Sequence, residues 1–290
     1  MVSSGSDTMN STLINGFYMA TDNTIGGWSG TPTQDQIDNA NIIRSFFLNE
    51  GWTINAICGM LGCMQGESSI NPAYIQATNR RRLPNSASSL SDVPNSVMIN
   101  FYKEYYGDSN RAYAIGLVQW DGASTRLGVR GQKLVSYAID NNIQWFDGWT
   151  QMYRLRGEQQ YDVQHSTHSF FQRVRISGTY YDFNNFPYST ATPEVLATAW
   201  TVGYEINSGG AGYRPANARW FYDYFTSPDA PDIIPPEEFL TPLPYNPDDP
   251  PFDPDNPDPP DPITVDNMPV WFFWMLNRKR KECKRPCQRI

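Results

Sequence analysis

Apolar residues in the middle of the chain recur at intervals of three or four, which is the spacing of helices that bury one face. The first stripe follows a capping-box pattern at Thr33 to Gln36 and stops at Gly51. Its apolar positions are Ile37, Ala40, Ile43 and Phe47. Helical patterns resume at Arg126 to Ile139, Trp149 to Glu158, Thr192 onwards, and Ala216 to Phe225. Because no run of alternating strands interrupts them, we expect a mainly α domain with at most a small β element.

A further helix is predicted within the segment Gly51 to Pro72, GWTINAICGMLGCMQGESSINP. Thr53 is a good N-cap, and Pro72 ends the helix because the residue before a proline is pushed out of helical geometry. Four small residues share one face of this helix: Gly59, Gly62, Cys63 and Gly66. Each glycine costs a helix about 1 kcal/mol relative to alanine, so three of them indicate that another backbone packs closely here.

A single carboxylate, that of Glu67, falls in the last turn of this helix. A carboxyl group held at the mouth of a cleft could serve as the general acid of an enzyme that cuts glycan chains, since such an acid must carry a proton near neutral pH. The alternative is a solvated glutamate at a helix end. The helix by itself leaves both interpretations open.

Charge and cysteine usage narrow the range of functions. The chain has 290 residues and a net charge of −8, which argues against a nucleic-acid partner but not against a neutral glycan. Cys58 and Cys63 are predicted to be packed thiols, whereas Cys283 and Cys287 are either free or paired. The N-terminus lacks a basic region and an apolar core, so no signal peptide is expected. No apolar run is long enough to cross a bilayer.

Composition divides the chain into four parts. Residues 1–32 are rich in Ser, Thr, Gly and Asn and are predicted to form an arm outside the core. Residues 33–226 carry the helical patterns. Within them, residues 77–111 are expected to be a long surface excursion with one short helix, which could form a cleft wall. Residues 227–266 are dominated by Pro and Asp and should form an extended strap.

The C-terminal residues 267–290 combine an aromatic segment, MPVWFFWML, with a basic collar. A tethered apolar end of this kind is typical of docking into a groove on a partner protein, which is the favoured interpretation. Contact of residues 268–281 with a membrane interface is the alternative.

Several hydrolase classes lack their signatures in this sequence. His165 and His168 have no second histidine cluster or HExxH motif beside them, so no metal site is predicted. Cys58 and Cys63 lie in small, apolar surroundings that do not activate a thiol. The chain also has no GxSxG elbow and no phosphate loop. Of the hydrolase chemistries considered, the one that remains uses carboxyl groups and no cofactor.

The segment ICGMLGCMQGESSINP closely resembles the motif of the phage tail lysozyme family, known from tail-knob proteins of small phages of Gram-positive bacteria. GLVQW, at Gly116 to Trp120, resembles the second motif of that family. TPEVLATAWTVGYE, followed by Arg214-Pro215, resembles its end, although residues 206–213 separate two parts that the family tends to keep adjacent. The resemblance covers about residues 34 to 225. The ES…NP and GL-x-Q pairing is also shared with lytic transglycosylases and goose-type lysozymes.

The resemblance implies a lysozyme-like fold and a muramidase that cleaves the bond between N-acetylmuramic acid and N-acetylglucosamine in peptidoglycan. It makes Glu67 the proton donor and places Gln119 and Trp120 on the cleft wall. The other expected substrate contacts are Ser68, Tyr113 and Glu205.

The sequence does not single out a second catalytic carboxylate to act as a base beside Glu67. An inverting glycosidase places a base about 6.5–9.5 Å from the acid. The candidates are, in order, Asp121, Glu104, Asp108 and Glu205. Asp121 directly follows the second motif, but a turn or capping aspartate would look the same. Related enzymes with one essential glutamate need no second carboxylate at all.

The resemblance also implies a setting, the tail tip of a virion, where residues 227–290 would contact other phage tail proteins. Three alternatives remain open: a lytic transglycosylase with the same acid, a structural tail plug with a degenerate lysozyme fold, and a free endolysin.

Overall fold

α-Helices account for most of the chain that the computed structural model describes, which comprises residues 11–20, 31–75, 93–104, 114–121, 130–207 and 209–235. In these ranges the helices are α1 (Gln34–Asn49), α2 (Ile54–Ser68), α3 (Asn95–Glu104), α4 (Arg130–Asp140), α5 (Gly148–His165), α6 (Pro193–Gly203) and α7 (Arg214–Phe225). None of them is long and apolar enough to span a membrane. The predicted mainly α fold is confirmed.

The strands of the described ranges pair as three short antiparallel hairpins. They are β1 (Ser11–Ile14) with β2 (Phe17–Ala20), β3 (Ala114–Ile115) with β4 (Trp120–Asp121), and β5 (Val174–Ile176) with β6 (Thr179–Tyr181). The middle hairpin joins the chain that leaves α2, because Ile75 bridges to Ile115 and the Gly116 N–H donates to the Tyr74 carbonyl at 2.9 Å. The sheet content is therefore small, as expected.

The predicted starts of α1 and α2 are confirmed by their caps. Thr33 and Gln36 form a complete capping box at α1. At α2 the Thr53 side chain accepts a hydrogen bond from the Ala56 N–H at 3.2 Å. Ser69 then ends α2 in a left-handed conformation with φ 55°, three residues before Pro72.

The glycine face of α2 is covered by α6 and α7. A Cβ atom on Gly59 would lie 2.8 Å from the Cβ of Leu196 in α6. One on Gly62 would lie 2.5 Å from the backbone nitrogen of Ala218 in α7. Side-chain carbons do not approach other atoms this closely, so both positions require glycine. The predicted close approach of other backbones is confirmed, and it comes from two helices.

The N-terminal hairpin corrects the expectation that residues 1–32 lie outside the core. Phe17 and Met19 are fully buried, and the Asn15 side chain donates to Asp147 Oδ1 at 2.7 Å. Asn15 and Gly16 both have positive φ, as the tight turn between two hairpin strands requires. Two inward-facing side chains are enough to anchor a hairpin, even where the overall composition is polar. The other residues of the predicted arm up to 30 lie outside the described part.

The predicted surface excursion is also corrected in part. Its expected short helix is α3, but Phe101 and Tyr102 in this helix are only 3% and 4% exposed. They pack in the core because an amphipathic helix that touches the domain buries its aromatic face. Residues 77–92 and 105–111 of this segment lie outside the described residues.

The first residues of the predicted strap run along α1. Arg44 donates to the Pro231 carbonyl at 2.6 Å, and Asn41 donates to that of Asp232 at 3.1 Å. Ser45 Oγ accepts from the Ile234 N–H at 3.0 Å. The chain therefore stays attached to the helical domain up to this point. Residues 236–290, with the remainder of the strap, the aromatic plug, Cys283 and Cys287, are outside the described ranges.

Candidate active site

Glu67 lies in the last turn of α2, and its side chain is 25% exposed. Two backbone bonds close the helix around it. The Ser69 N–H donates to the Gln65 carbonyl at 3.2 Å, and the Ile70 N–H donates to the Met64 carbonyl at 3.4 Å. Because the chain turns away directly after Glu67, its carboxyl group stands at a helix end with one side open to solvent.

Arg214, the first residue of α7, holds this carboxyl group. Its guanidinium pairs with Glu67 Oε1 through Nη2, and its Nε lies 3.1 Å from Glu205 Oε2. The arginine side chain is 11% exposed. Its position follows from the glycine face of α2, since a Cβ on Gly66 would lie only 3.2 Å from Arg214 Cγ.

Glu205 lies two residues beyond the end of α6, and its side chain is 7% exposed. Glu67 and Cys63, a buried free thiol, are the other titratable side chains that act on it besides Arg214. Burial raises the pKa of Glu205 to about 8, and the negative charge of Glu67 adds to the rise while Arg214 opposes it. The pair of carboxyl groups therefore keeps a proton at neutral pH, as general acid catalysis requires.

Both glutamates are followed by strained backbone. Ile70, three residues after Glu67, has φ 54°, and Ile206, directly after Glu205, has φ 56°. A left-handed conformation is an outlier for a β-branched residue. Such strain persists where the surrounding packing fixes it, and it clusters at functional sites. The sequence did not predict a left-handed conformation at Ile70 or at Ile206.

The GLVQW segment lies at the same end of α2. Ser68 Oγ donates to the Leu117 carbonyl at 2.7 Å, which ties the residue after Glu67 to this loop. The Leu117 N–H in turn donates to Gln151 Oε1 at 2.8 Å. Gln119 is partly exposed, with φ 53°, and its Nε2 donates to the Gly116 carbonyl at 2.9 Å. The two motifs are thus brought together, and substrate contact by Gln119 stays a prediction.

Two of the residues expected to contact substrate are buried instead. Ser68 is 0% exposed and Trp120 is 1% exposed. Trp120 does not present a ring face to solvent, and its Nε1 donates to Glu158 Oε1 at 3.2 Å. Because the hairpin register turns this side chain inwards, Trp120 supports the wall of the site from behind.

Other predicted residues fall where no side chain is described. Tyr113 and Asp108 lie outside the described residues. Asp121 ends β4 and Glu104 ends α3, but their side chains are likewise outside the description. Their roles remain predictions, whereas Glu205 is placed against Glu67.

A buried charged cluster supports both sides of the site and was not foreseen. Glu158 is 0% exposed, and its two oxygens meet Arg130, Arg154, the Tyr204 hydroxyl and the Trp120 indole. Burial raises the pKa of Glu158, but Arg130 and Arg154 outweigh that effect and leave the pKa below its ordinary value. The cluster links Trp120, beside Gln119, with Tyr204, beside Glu205. It fixes the spacing between the GLVQW loop and the end of α6.

One sequence signal for this cluster exists. Arg154 and Glu158 stand four residues apart on α5, the spacing of a helical ion pair. Such pairs are usually solvated, so the pattern alone does not indicate burial.

The two histidines contact an aromatic ring and an aspartate. His165 stacks on Tyr161 at 4.1 Å, and His168 is 3.9 Å from Asp182. Among the described residues, no group of three or more His, Cys, Asp or Glu side chains could hold a metal ion.

Comparison with known proteins gives the family. The family model described as phage tail lysozyme matches residues 38–225. Morphogenesis protein 1 of Bacillus phage B103 is 31% identical over 121 residues, which make up 38% of this chain and 26% of that protein. The chain thus aligns with about a quarter of the length of this relative. Since the matched region covers more than half of the chain and includes Glu67, Glu205 and Arg214, the chain belongs to the phage tail lysozyme family.

Proposed function

We propose that this protein is a virion-associated peptidoglycan hydrolase, a muramidase at the phage tail tip that opens the host cell wall during infection. The observation that carries the proposal is the carboxyl pair of Glu67 and Glu205. Glu67 faces solvent at the end of α2, while its buried partner keeps a proton available at neutral pH. Family membership supports the phage setting.

In the proposed reaction, Glu67 protonates the oxygen of the bond between N-acetylmuramic acid and N-acetylglucosamine as that bond breaks. The sugar that remains passes through an oxocarbenium-like transition state, and water then attacks it. Arg214 stabilises the Glu67 carboxylate that forms, because its guanidinium is already paired with that group.

A lytic transglycosylase is the second candidate, and the position of Glu205 favours it. An inverting hydrolase needs about 6.5–9.5 Å between its two carboxyl groups to admit a water molecule. Glu205 is buried and lies against the same guanidinium as Glu67, so it is poorly placed to activate a water molecule as such a base. In a transglycosylase, a hydroxyl group of the substrate attacks in place of water.

The variant Glu67→Gln tests the assignment. It keeps the size of the side chain but cannot protonate a leaving group, so lysis of purified cell walls should fall at least about 100-fold. Glu194→Gln is the matched control, because Glu194 also pairs with an arginine of α7, Arg219, but at the surface. Near-normal lysis by Glu67→Gln would overturn the proposal.

Mass analysis of the released fragments separates the two reactions. Reducing ends identify a hydrolase, and anhydro-muramic ends identify a transglycosylase. A structural tail plug would give no digestion by the unmodified protein. A free endolysin would digest walls but would be absent from purified virions.

Residues 227–290 are proposed to hold the protein among other tail proteins. A chain that ends at residue 235 keeps the contacts of Pro231 and Ile234 with α1. It should therefore retain wall lysis but fail to enter virions. If the shortened chain instead loses only its binding to lipid vesicles, residues 268–281 contact a membrane.

A further inference from the structure

We propose that Glu205 and Glu67 share one proton, and that Glu205 is a positioning residue that hands this proton to Glu67 at each cleavage. This inference rests on the proposed function, because it explains how the solvent-facing acid is protonated.

The contacts of the two side chains favour a shared proton. Glu205 and Glu67 lie against the same arginine side chain, and two ionised carboxylates held this close repel each other. A proton on one of them removes this repulsion. The same guanidinium, that of Arg214, contacts both groups, so a single cation faces two carboxyl groups.

The surroundings place the proton on the buried member of the pair. Glu205 is 7% exposed, compared with 25% for Glu67, and an ionised carboxylate is more costly to bury. The other titratable groups around Glu205 are Cys63 from α2 and Tyr213 beside α7. Burial raises the pKa of both of these groups, so they stay neutral and add no second charge near neutral pH.

The proton moves in a balanced sequence. Glu67 donates a proton to the glycosidic oxygen, the bond from that oxygen to the sugar carbon breaks, and the leaving sugar departs as an alcohol. The proton that Glu67 donates is the one it has just taken from Glu205, so both carboxylates are ionised beside Arg214 after the bond breaks. The attacking water or hydroxyl group then releases one proton, which restores the pair.

The variant Glu205→Gln tests this role. It keeps a hydrogen-bonding side chain of the same size but has no proton to transfer. Arg214 then pairs with Glu67 alone. At pH 7 the rate of wall lysis should fall about 10- to 100-fold, and it should recover in part as the pH is lowered. In the unmodified protein the rate should fall as the pH rises through about 8. Glu205→Asp, which keeps a carboxyl group, should restore part of the rate at pH 7.

The outcomes separate this inference from the proposed function. If Glu67→Gln lyses walls normally, the proposed function fails. If Glu67→Gln is inactive but Glu205→Gln keeps the rate and the pH profile of the unmodified protein, only the shared proton is overturned. A purely structural role of Glu205 would lower the rate equally at every pH. If Glu205→Gln does not fold, a carbon-13 NMR titration of the unmodified protein decides, and a Glu205 carboxyl that ionises below pH 6 would contradict the proposal.

Discussion

Gly62 of α2 and Ala218 of α7 meet so closely that a Cβ atom on Gly62 would lie 2.5 Å from the Ala218 backbone nitrogen. The contact allows α7 to lie directly on α2 without a layer of side chains between them. It thereby brings Arg214, at the start of α7, to the end of α2, where Glu67 lies. The acid and its cation are thus positioned by a contact between two backbones.

Replacing Gly62 by alanine should therefore destabilise the fold. The gain in helix propensity is about 1 kcal/mol, but overpacking against a backbone typically costs more, so we expect a net loss of about 1–3 kcal/mol. Gly66→Ala is the comparison, because its nearest atoms, in Arg214 and Tyr213, belong to side chains that can shift. It should retain more stability and still lose lysis as Arg214 moves. Urea unfolding measures the stability of the two variants, and a wall-lysis assay measures their activity. A Gly62→Ala protein as stable as the parent would contradict the close packing.

Arg214→Gln should destabilise the protein and do so in a pH-dependent way. It leaves Glu67 and Glu205 without their shared cation, and removal of one partner from a buried pair costs about 3 kcal/mol or more. The loss should shrink at low pH, where protonation of the remaining carboxylate removes the need for a counter-charge. Arg219→Gln, which breaks an exposed pair with Glu194, should leave stability close to that of the parent. A loss that does not vary with pH would argue against the electrostatic explanation.

The raised pKa of Glu205 also predicts how stability depends on pH. A group with a higher pKa in the folded state binds its proton more tightly there, so its contribution is complete below pH 4.5 and is lost as the pH rises to about 8. The free energy of unfolding should fall over this window by at most about 5 kcal/mol. Glu205→Gln, which has no such proton, should show a flatter curve and unfold less readily at pH 8. An unchanged slope in thermal or urea unfolding would assign the titration to another group.

Glu158→Gln tests the buried cluster behind the site. It leaves Arg130 and Arg154 without a counter-charge, which should cost about 3–5 kcal/mol. Because the pKa of Glu158 is lowered on folding, its contribution is present above pH 4.5 and is lost as the pH falls below it. The parent protein should therefore weaken below pH 4.5.

A milder variant weakens the Glu158 cluster without removing its charge. Tyr204→Phe removes only the hydroxyl that donates to Glu158 at 2.6 Å, so it should cost about 1.5–3 kcal/mol. Because Tyr204 adjoins Glu205, it should also reduce wall lysis. Equal stability of Tyr204→Phe and the parent protein would show that the cluster does not hold the end of α6.

Much of the local structure could be predicted from the sequence because its causes are local. Thr33 and Thr53 cap their helices through atoms three residues away. The glycines of α2 gave a further signal, since they are unfavourable in a helix unless something packs on them. The N-terminal hairpin was missed even though Asn15-Gly16 is a recognised turn pair, because a polar composition was given more weight than the turn.

The site itself was predictable only in part. Glu67 could be named because the end of a helix and a family motif coincide there. Trp120 was expected on a cleft wall and Ser68 against substrate, yet both are buried, since the direction of a side chain in a short hairpin depends on what packs behind it. The cluster around Glu158 draws partners from three other parts of the chain, so no single segment could reveal it.

The sequence by itself determined the helices, their caps, the glycine face of α2 and the carboxylate at its end, because spacing along one helix fixes these features. Only the tertiary structure decided which groups surround that carboxylate. Glu205 lies 138 positions after Glu67 and Arg214 lies 147 positions after it, and the three meet because α6 and α7 pack on α2. The buried proton of the pair follows from that meeting, since it requires two carboxyl groups, one guanidinium and the exclusion of water at one place.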